Sequence, residues 1–469
     1  MAAWTLPKRI ADWCEILTSN LDRRSRKYLI PLVLGMVLAN GRRTVSSWLR
    51  AAGVSDDWQD YYHFLQTVGR NAGQIATGLL HLAVRQIPLS HVGDFVKLAI
   101  DDSPTKRYGP KVELAGIHHN PTPGPAGSEF LYGHVWVTIS WLVTHPLWGC
   151  IGLPLRALMY VRRKDLSALE NIGRAPWLFR TKLDLAAELV EWCIVLLRTW
   201  FQKRVMVIAD GAYAKKPFLS RMLNAGAVVV SRLRKDAALF DLPEPVKRRG
   251  KGRPRKYGRQ RLSLAHRGGH RSGWTTVPMV LYGVAQQVTF KTFLATYPPA
   301  GGVIRVVIVK RSAQLFANNP LEWVAFFCTD PTVSATTIIE AVADRSAIEQ
   351  NFHDVKEVHG AGQQQVRNVW CNPGAPGLEP LLVAAYDRRI VVLASIRQHA
   401  EAAKRPAVGR RRSPTESRRP PQNPKKTGSS SNIFRASTAT PRCTNNPEAF
   451  QSPRPTRNIN YTIVRKCSS

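Results

Sequence analysis

Two short apolar segments that each end in aspartate are the feature that most restricts the fold of this chain. FVKLAIDDS (residues 95–103) runs into Asp101 and Asp102, and RVMVIADGAYAKKPF (204–218) runs into Asp210 before a glycine turn and a helical segment. Short runs rich in Val, Ile and Leu are typical of buried strands. Strands followed by helices indicate an α/β sheet, which binds ligands beyond its strand ends. For either motif alone, an aspartate that caps the next turn is the alternative.

A third polar group lies in the segment DRSAIEQNFHDVKEVHGAGQQQVRN, which begins at residue 344. In a helix that turns about 100° per residue, Arg345, Glu349 and Lys356 fall within about 40° of one another, beside an apolar stripe. One acid between two bases on one face predicts a metal site beside phosphate. A solvated Arg/Glu pair on a surface helix is the alternative.

Carboxylates at three such places suit a divalent-metal site for phosphodiester chemistry. Mg²⁺ prefers oxygen ligands and is held by one or two carboxylates together with substrate phosphate, and three carboxylates can hold two such ions. We expect Asp102 or Asp101 to bridge the ions, and Asp210 and Glu349 to complete the two sides. Mn²⁺ is expected to substitute for Mg²⁺.

The two basic residues of the same helix face have a separate predicted role. Arg345 and Lys356 would contact the phosphates that flank the reacting bond. Arginine and lysine both bind phosphate, arginine through its fork of donors and lysine as a point charge.

These motifs resemble those of bacterial cut-and-paste insertion-sequence transposases of the DDE superfamily. The spacing Arg-x3-Glu-x6-Lys followed by GAGQQQVR resembles the Y-R-E-K signature, and IDDSPTKRYG and VIADGAYAKKPFL resemble the first two acidic blocks. The resemblance implies Asp102, followed by Ser103, as the first catalytic acid, with Asp101 as the weaker alternative, and Asp210 and Glu349 as the others. Val342 stands where the signature has tyrosine, which is a departure from the family pattern.

The resemblance also implies the architecture. We expect an α/β fold with an RNase H-like catalytic core over residues 91–372, interrupted by a β-rich insertion at about 234–320. Residues 1–90 read as a helical, DNA-binding domain. Residues 373–469, rich in Pro, Arg and Ser, read as an atypical disordered tail, with a frameshift as the hypothesis for its origin.

Charge points to nucleic acid as the partner. The chain has 67 Lys and Arg against 32 Asp and Glu, a net charge of +35, and 44% hydrophobic residues with 13 Trp. Basic surfaces bind polyanions, whereas a basic packing protein does not need so large an apolar core. Nucleic acid is therefore the expected partner. The resemblance implies double-stranded DNA at element ends and target, bound by a homo-oligomer in a synaptic complex.

Several basic and aromatic residues are candidates for DNA contact. Arg42 and Arg43 lie in a helix-turn-helix-like stretch of the N-terminal region, for which a plain helical bundle is the alternative. Arg253 and Arg255 lie in a Gly-Arg-Pro-Arg core similar to that of an AT-hook, for which a disordered basic loop is the alternative. The resemblance also implies an aromatic residue in this region that stacks on a flipped base during cleavage, and Trp274 is a candidate for it.

The remaining features bear on the compartment. Seven scattered cysteines without a CxxC pair favour a reducing cytoplasm, and the apolar run at 29–39 is too short to span a bilayer. We therefore expect a cytoplasmic, nucleoid-associated protein that does not contact membranes. The expected activity is metal-dependent DNA strand cleavage and strand transfer. The alternatives are a catalytically decayed DNA-binding remnant and a nuclease without strand transfer.

Overall fold

The structure is a computed structural model, and the ranges that it describes contain most of the predicted site. Arg253 and the predicted disordered tail lie outside those ranges. The described residues of the 469-residue chain are 8–120, 127–170, 178–244, 255–310 and 323–371.

Helices make up the N-terminal region, as the sequence indicated. Gly35 allows two of these helices to pack closely, because a Cβ at this position would lie 2.0 Å from the carbonyl oxygen of the buried Trp48. Thr44 caps the helix that contains Trp48 by accepting a hydrogen bond from the Ser47 amide. The helices are α1 (Lys8–Thr18), α2 (Leu29–Leu38), α3 (Val45–Ala51), α4 (Trp58–Arg70) and α5 (Ala72–Gln86).

The strands of the described residues form one large mixed sheet in a mixed α/β fold. They are β1 (Phe95–Lys106), β2 (Gly116–His119), β3 (Phe130–His145), β4 (Gly149–Tyr160), β5 (Arg204–Ala209), β6 (Val228–Leu233), β7 (Leu239–Phe240), β8 (Arg261–Leu262), β9 (Thr275–Leu281), β10 (Val284–Tyr297), β11 (Gly302–Lys310) and β12 (Trp323–Cys328). Their order is β2-β3-β1-β5-β6-β12-β11-β10-β7-β8, with β4 on β3 and β9 on β10. β5 pairs in parallel with β1 and with β6, and the other pairs are antiparallel.

The stretch predicted as a β-rich insertion contributes β7 to β11 and the short helix α9 (Leu264–Gly269). These strands do not form a layer of their own. β11 pairs with β12, and β12 pairs with β6, so the strands extend the sheet that contains β1 and β5. The backbone groups at the β6 edge thereby find partners within the same sheet.

Helices cover both faces of the sheet and divide the side chains of β1 between two cores. Leu98 and Ile100 pack with α7 (Lys182–Leu197) and α8 (Lys216–Asn224), whereas Ala99 packs with α10 (Ala335–Asp344) and with Ile348 of α11 (Ser346–His353). Because successive side chains of a strand point to opposite faces, this alternation continues into the two aspartates that follow.

The remaining elements complete the description. Helix α6 (Arg163–Glu170) follows β4, and a single π-helical turn (Asp354–Val358) follows α11. Beyond that turn, Val366 and Cys371 pack into the core of the N-terminal helices. In the described part of the chain, no helix is both long and apolar enough to cross a membrane.

Buried histidines predict that the fold loses stability in acid. Burial lowers the pKa of His134 to about 3 and those of His118 and His359 to about 4, against an ordinary value of 6.5. His134 is fully buried and accepts a hydrogen bond from Arg107 through Nδ1, so its neutral form is the one that fits. The unfolded chain therefore binds protons that the folded chain does not, and stability falls as the pH drops below about 6.5.

Through His134 alone, the free energy of unfolding should fall by about 2 to 3 kcal/mol between pH 7.5 and pH 4.5. Urea unfolding of the full chain at both pH values measures it. The His134→Gln variant should be less stable at pH 7.5 but should lose less stability between the two pH values. The exposed His63→Gln variant is the control and should follow the wild type. An equal pH dependence in wild type and His134→Gln would contradict this reading.

Candidate active site

The two acid-bearing strands place Asp101 and Asp210 side by side. β1 and β5 are parallel with Ile100 opposite Ala209, so the next residues along both strands, Asp101 and Asp210, stand in step. Asp210 directly follows β5, and its carboxylate accepts the Gly211 amide at 2.7 Å at the start of a 3-10 turn. Neighbours on parallel strands project from the same face. Both carboxylates therefore belong to the face that α10 and α11 cover.

The sequence interpretation of β1 needs one correction. Asp101 and Asp102 were expected at the exit of the strand, but β1 continues to Lys106. Pairing with β3 extends it, with Asp101 opposite Thr138 and Lys106 opposite Gly133. The acids thus lie within a strand whose parallel neighbour has ended, which leaves a step in the sheet.

Arg345 links the helical part of the site to β1. It lies between α10 and α11, and its Nη2 donates to Asp101 Oδ2 at 2.5 Å while its Nη1 donates to Glu349 Oε1 at 3.3 Å. Asp101 and Arg345 are mostly buried, with 7% and 17% of their side chains exposed. One guanidinium therefore joins the carboxylates of a strand and a helix. We call Asp101, Asp210 and Glu349 the acidic cluster.

The charge of Arg345 responds to the whole acidic cluster. Burial lowers its pKa, but attraction by Asp101, Asp210 and Glu349 outweighs burial, so the pKa of Arg345 is raised. Its Nε is buried and has no hydrogen-bond partner among the described residues. Arg345 is therefore the counter-ion of the acidic cluster in this structure.

Lys356 extends the contact between the helical segment and β1. The predicted continuous helix is interrupted, because α11 ends at His353 and Lys356 lies in the π-helical turn. Its Nζ donates to Ser103 Oγ at 2.6 Å, and Ser103 is two residues from Asp101 on the same side of β1. Arg345, Glu349 and Lys356 thus share one side of the site, as the helical spacing indicated.

Asp102 faces the opposite side of the sheet, away from Glu349. Its Oδ1 accepts the Tyr213 hydroxyl at 2.9 Å and its Oδ2 accepts Lys182 Nζ at 2.7 Å. The structure therefore does not bring Asp102 together with Glu349, although the sequence interpretation placed them in one metal site. It brings Asp101 there, the residue named as the weaker alternative. The two-residue period of β1 is the physical reason.

The acidic cluster offers the donors that a hard divalent cation takes. Within the described ranges, no three His, Cys, Asp or Glu side chains stand in a metal-binding array. In the acidic cluster, the Arg345 guanidinium bridges two of the carboxylates instead. The donor set of carboxylate oxygens from three elements nevertheless fits Mg²⁺ or Mn²⁺, which prefer oxygen ligands.

Tyr282 is a residue of this site that the sequence did not single out. It occupies the two-residue turn between β9 and β10, with φ of 56° followed by 77° at Gly283. The pKa of Tyr282 is raised by desolvation of its hydroxyl and then by the negative charge of Glu349, although 52% of the residue is exposed. Tyr-Gly in a tight hairpin was the available signal, but nothing local in the sequence places this turn beside α11.

Trp274 lies elsewhere. It packs against the core on the α7 face, opposite to α11. The Nζ atoms of Lys291 and Lys310 lie over its ring, 4.5 and 4.6 Å from the ring centre. Lys291 is anchored by two backbone carbonyls, those of Arg267 and His270. The predicted stacking of Trp274 on a base at the cleavage site therefore does not fit its position.

The other candidate DNA contacts have separate locations. Arg255 is exposed at the start of a described segment. Arg42 is exposed and lies 5.9 Å from the centre of the Tyr108 ring. Arg43 is partly buried, and its Nη1 donates to the Met36 carbonyl. The structure does not bring these three residues into the acidic cluster.

Acidic side chains from neighbouring strands and a helix, set beside basic groups, are typical of enzymes that transfer phosphoryl groups with bound metal. The chain belongs to the DDE superfamily endonuclease family, whose model matches residues 17–292, more than half of the chain. The matched range contains Asp101, Asp102 and Asp210 and ends before Arg345. Membership of the Y-R-E-K group therefore stays a prediction. No curated protein matches the chain.

Removal of the Arg345 charge should destabilise the protein strongly. In Arg345→Met, Asp101 and Glu349 keep their negative charges without their shared counter-ion. Breaking a largely buried ion pair by removing one partner costs about 3 kcal/mol or more. Denaturant unfolding in the presence of a chelator measures the loss.

Arg204→Met is the matched control, because Arg204 also pairs with an aspartate, Asp330, but has 58% of its side chain exposed. Exposed ion pairs contribute roughly 0 to 1 kcal/mol. Equal losses in the two variants would contradict the assignment of Arg345 as the central counter-ion.

Proposed function

We propose that this protein is a DNA transposase that cleaves strands at the ends of an insertion sequence and joins them to a target. The observation that carries the proposal is the convergence of Asp101, Asp210 and Glu349 around Arg345 in a member of the DDE superfamily endonuclease family. A homo-oligomer in a synaptic complex is part of the proposal. We also propose that β1, β5 and their neighbouring strands form an RNase H-like part of the sheet.

Asp101, Asp210 and Glu349 are the proposed metal ligands, with Asp101 replacing Asp102 of the sequence interpretation. Two Mg²⁺ ions, or Mn²⁺ in their place, would stabilise charge on the attacking and leaving oxygens of the phosphodiester. The chain itself supplies the geometry. β1 and β5 hold two carboxylates in step, and α11 carries the third over the step in the sheet.

Arg345 and Lys356 are the proposed phosphate contacts. Arg345 bonds to Asp101 and Lys356 bonds to Ser103, so both side chains lie against β1. When the acidic cluster is neutralised by other cations, the guanidinium of Arg345 is free to pair with a phosphate. Arg42 and Arg255, which are exposed, are proposed to contact DNA outside the site. The net charge of +35 supports binding that weakens with salt.

Neutral variants of the acidic cluster should separate cleavage from DNA binding. Asp101→Asn, Asp210→Asn and Glu349→Gln are each expected to reduce Mg²⁺-dependent nicking at least a thousandfold, because each loses a charged oxygen ligand. DNA affinity should stay within about threefold, since binding rests on basic surfaces. Nicking of labelled duplexes that carry the ends of the element, and filter binding of the same duplexes, measure the two effects.

Asp102→Asn is the comparison that decides between the adjacent aspartates. It should retain measurable nicking, whereas Asp101→Asn should not. Loss of nicking in Asp102→Asn together with its retention in Asp101→Asn would overturn the assignment of the first ligand. Following strand transfer separately distinguishes a transposase from a nuclease that only nicks. DNA binding without any nicking by the wild type would indicate a decayed remnant.

Arg345 should compete with divalent cations for the same oxygens. Arg345→Gln is expected to bind Mn²⁺ about tenfold more tightly than the wild type, a gain of about 1.4 kcal/mol. Titration followed by electron paramagnetic resonance of free Mn²⁺ measures it at a temperature where both proteins are folded. Lys97→Gln is the control, because Lys97 lies on the same side of β1 but pairs with Asp344. Its Mn²⁺ affinity should change less than twofold. Equal or weaker binding by Arg345→Gln would contradict the competition.

A further inference from the structure

We propose that Asp102, Tyr213 and Lys182 form a positioning network that holds the turn after Asp210 against β1. This inference rests on the proposed function, because it assigns Asp210 as a metal ligand. Asp102 in this role is a positioning residue that acts on the site from the opposite face of the sheet. We call these three residues the Asp102 network.

Tyr213 connects the network to Asp210. The two residues bound the same 3-10 turn, and the Tyr213 amide donates to the Asp210 carbonyl at 3.0 Å. Tyr213 is 2% exposed, and its ring packs edge-on against Phe218 of α8, 5.8 Å between centroids. Its hydroxyl donates to Oδ1 of Asp102 on the neighbouring strand β1. A displacement of the phenol would therefore move the turn that orients the Asp210 carboxylate.

Lys182 holds the other oxygen of Asp102. It is the first residue of α7, whose start is fixed by a capping box in which Thr181 and Asp184 bond to each other's backbone amides. Its Nζ donates to Asp102 Oδ2 and lies 5.8 Å from the centre of the Tyr160 ring. The two carboxylate oxygens of Asp102 thus bond to two different elements, which restricts rotation of the carboxylate about its bond to Cβ.

The network also reaches the first ligand. The Asp102 amide donates to Asp101 Oδ1 at 2.9 Å, so the backbone at Asp102 helps to orient the neighbouring carboxylate. Asp102 is therefore bonded to Asp101 through its backbone and to the Asp210 turn through its side chain. Two carboxylates that must bind the same ions depend on one residue for their relative position. Metal affinity depends steeply on such supporting contacts around ligands.

A merely structural role for Asp102 makes a different forecast. Tyr213 and Asp102 would then contribute to stability, and metal affinity of the folded protein would not change when they are altered. A direct ligand role for Asp102 makes a third forecast, in which Asp102→Asn loses binding and Tyr213→Phe keeps it. Mn²⁺ affinity of the folded protein separates all three cases.

The experiment is a double-mutant cycle on the full chain with Asp102→Asn, Tyr213→Phe and both together. Mn²⁺ is titrated at a temperature well below the unfolding transition of every variant, and denaturant unfolding is measured in parallel. We expect each single variant to bind Mn²⁺ about tenfold more weakly than the wild type, with unchanged stoichiometry. The double variant should bind no more weakly than either single variant, because both substitutions break the same bond between Asp102 and Tyr213. Lys182→Gln should show a smaller loss, because Lys182 belongs to α7 and not to the turn after Asp210.

Tyr297→Phe is the matched control. Tyr297 is also a buried tyrosine, and its hydroxyl donates to the carbonyl of Ala214 just after the same turn, but not to Asp102. It should lose stability and keep its Mn²⁺ affinity within twofold.

Two results would overturn the network: unchanged Mn²⁺ affinity in both single variants, or complete loss in Asp102→Asn with full retention in Tyr213→Phe. A failure of the proposed function would give a different experimental result. If wild type and Asp101→Asn bound Mn²⁺ equally, the acidic cluster would not be a metal site, and the network would have no site to position.

Discussion

The ion pairs of Arg345 with Asp101 and Glu349 are the interaction on which the arrangement of the site depends. Three carboxylates on one face repel one another, and buried carboxylates without a partner either become protonated or destabilise the fold. A single guanidinium removes this conflict because its fork of donors reaches both a strand and a helix. Arg345 lies at the junction of α10 and α11, where its backbone keeps helical angles, φ −57° and ψ −26°. In a protein without bound metal, this arginine keeps the acidic residues close together.

A second constraint is the two-residue period of β1. It sends Asp101 towards Arg345 and Asp102 towards Tyr213 and Lys182, so two adjacent and chemically identical residues enter different surroundings. A shift of one residue in the pairing of β1 with β5 would exchange them, because register decides which face a side chain occupies. The apolar residues before the aspartates hold the register: Leu98 and Ile100 fit the α7 core, and Ala99 leaves space for α10.

The order of the strands and helices was predictable from the sequence to a large extent, and the contacts between them much less so. The runs at 95–103 and 204–218 form β1 and β5 with the helix α8, and the row of Arg345, Glu349 and Lys356 does share one side of the site. The choice between Asp101 and Asp102 was not predictable. The residues that precede them are apolar on both faces of β1, so only the packing shows which face α11 covers. Tyr282 was missed for the same reason, since its approach to Glu349 depends on how β9 and β10 join the distant strand β11. Trp274 packs on the α7 face, and nothing in the sequence around it shows which face of the sheet it occupies.

The charge distribution of the site differs from that of the chain around it, and this difference bears on the proposed binding of DNA. The protein as a whole is strongly basic, yet acidic residues converge at the step in the sheet. Each of several acids here has a cation from another element: Asp101 and Glu349 have Arg345, Asp102 has Lys182, and Asp344 has Lys97. Bare carboxylates would repel a phosphodiester, so DNA, the proposed partner, could approach only where the acids are neutralised. In this structure basic side chains neutralise them, and one of these side chains, Arg345, is also a proposed phosphate contact. The bonds of Arg345 to two carboxylates and of Lys356 to Ser103 are therefore consistent with phosphate-binding roles for both, because each side chain is held within reach of the site before DNA arrives.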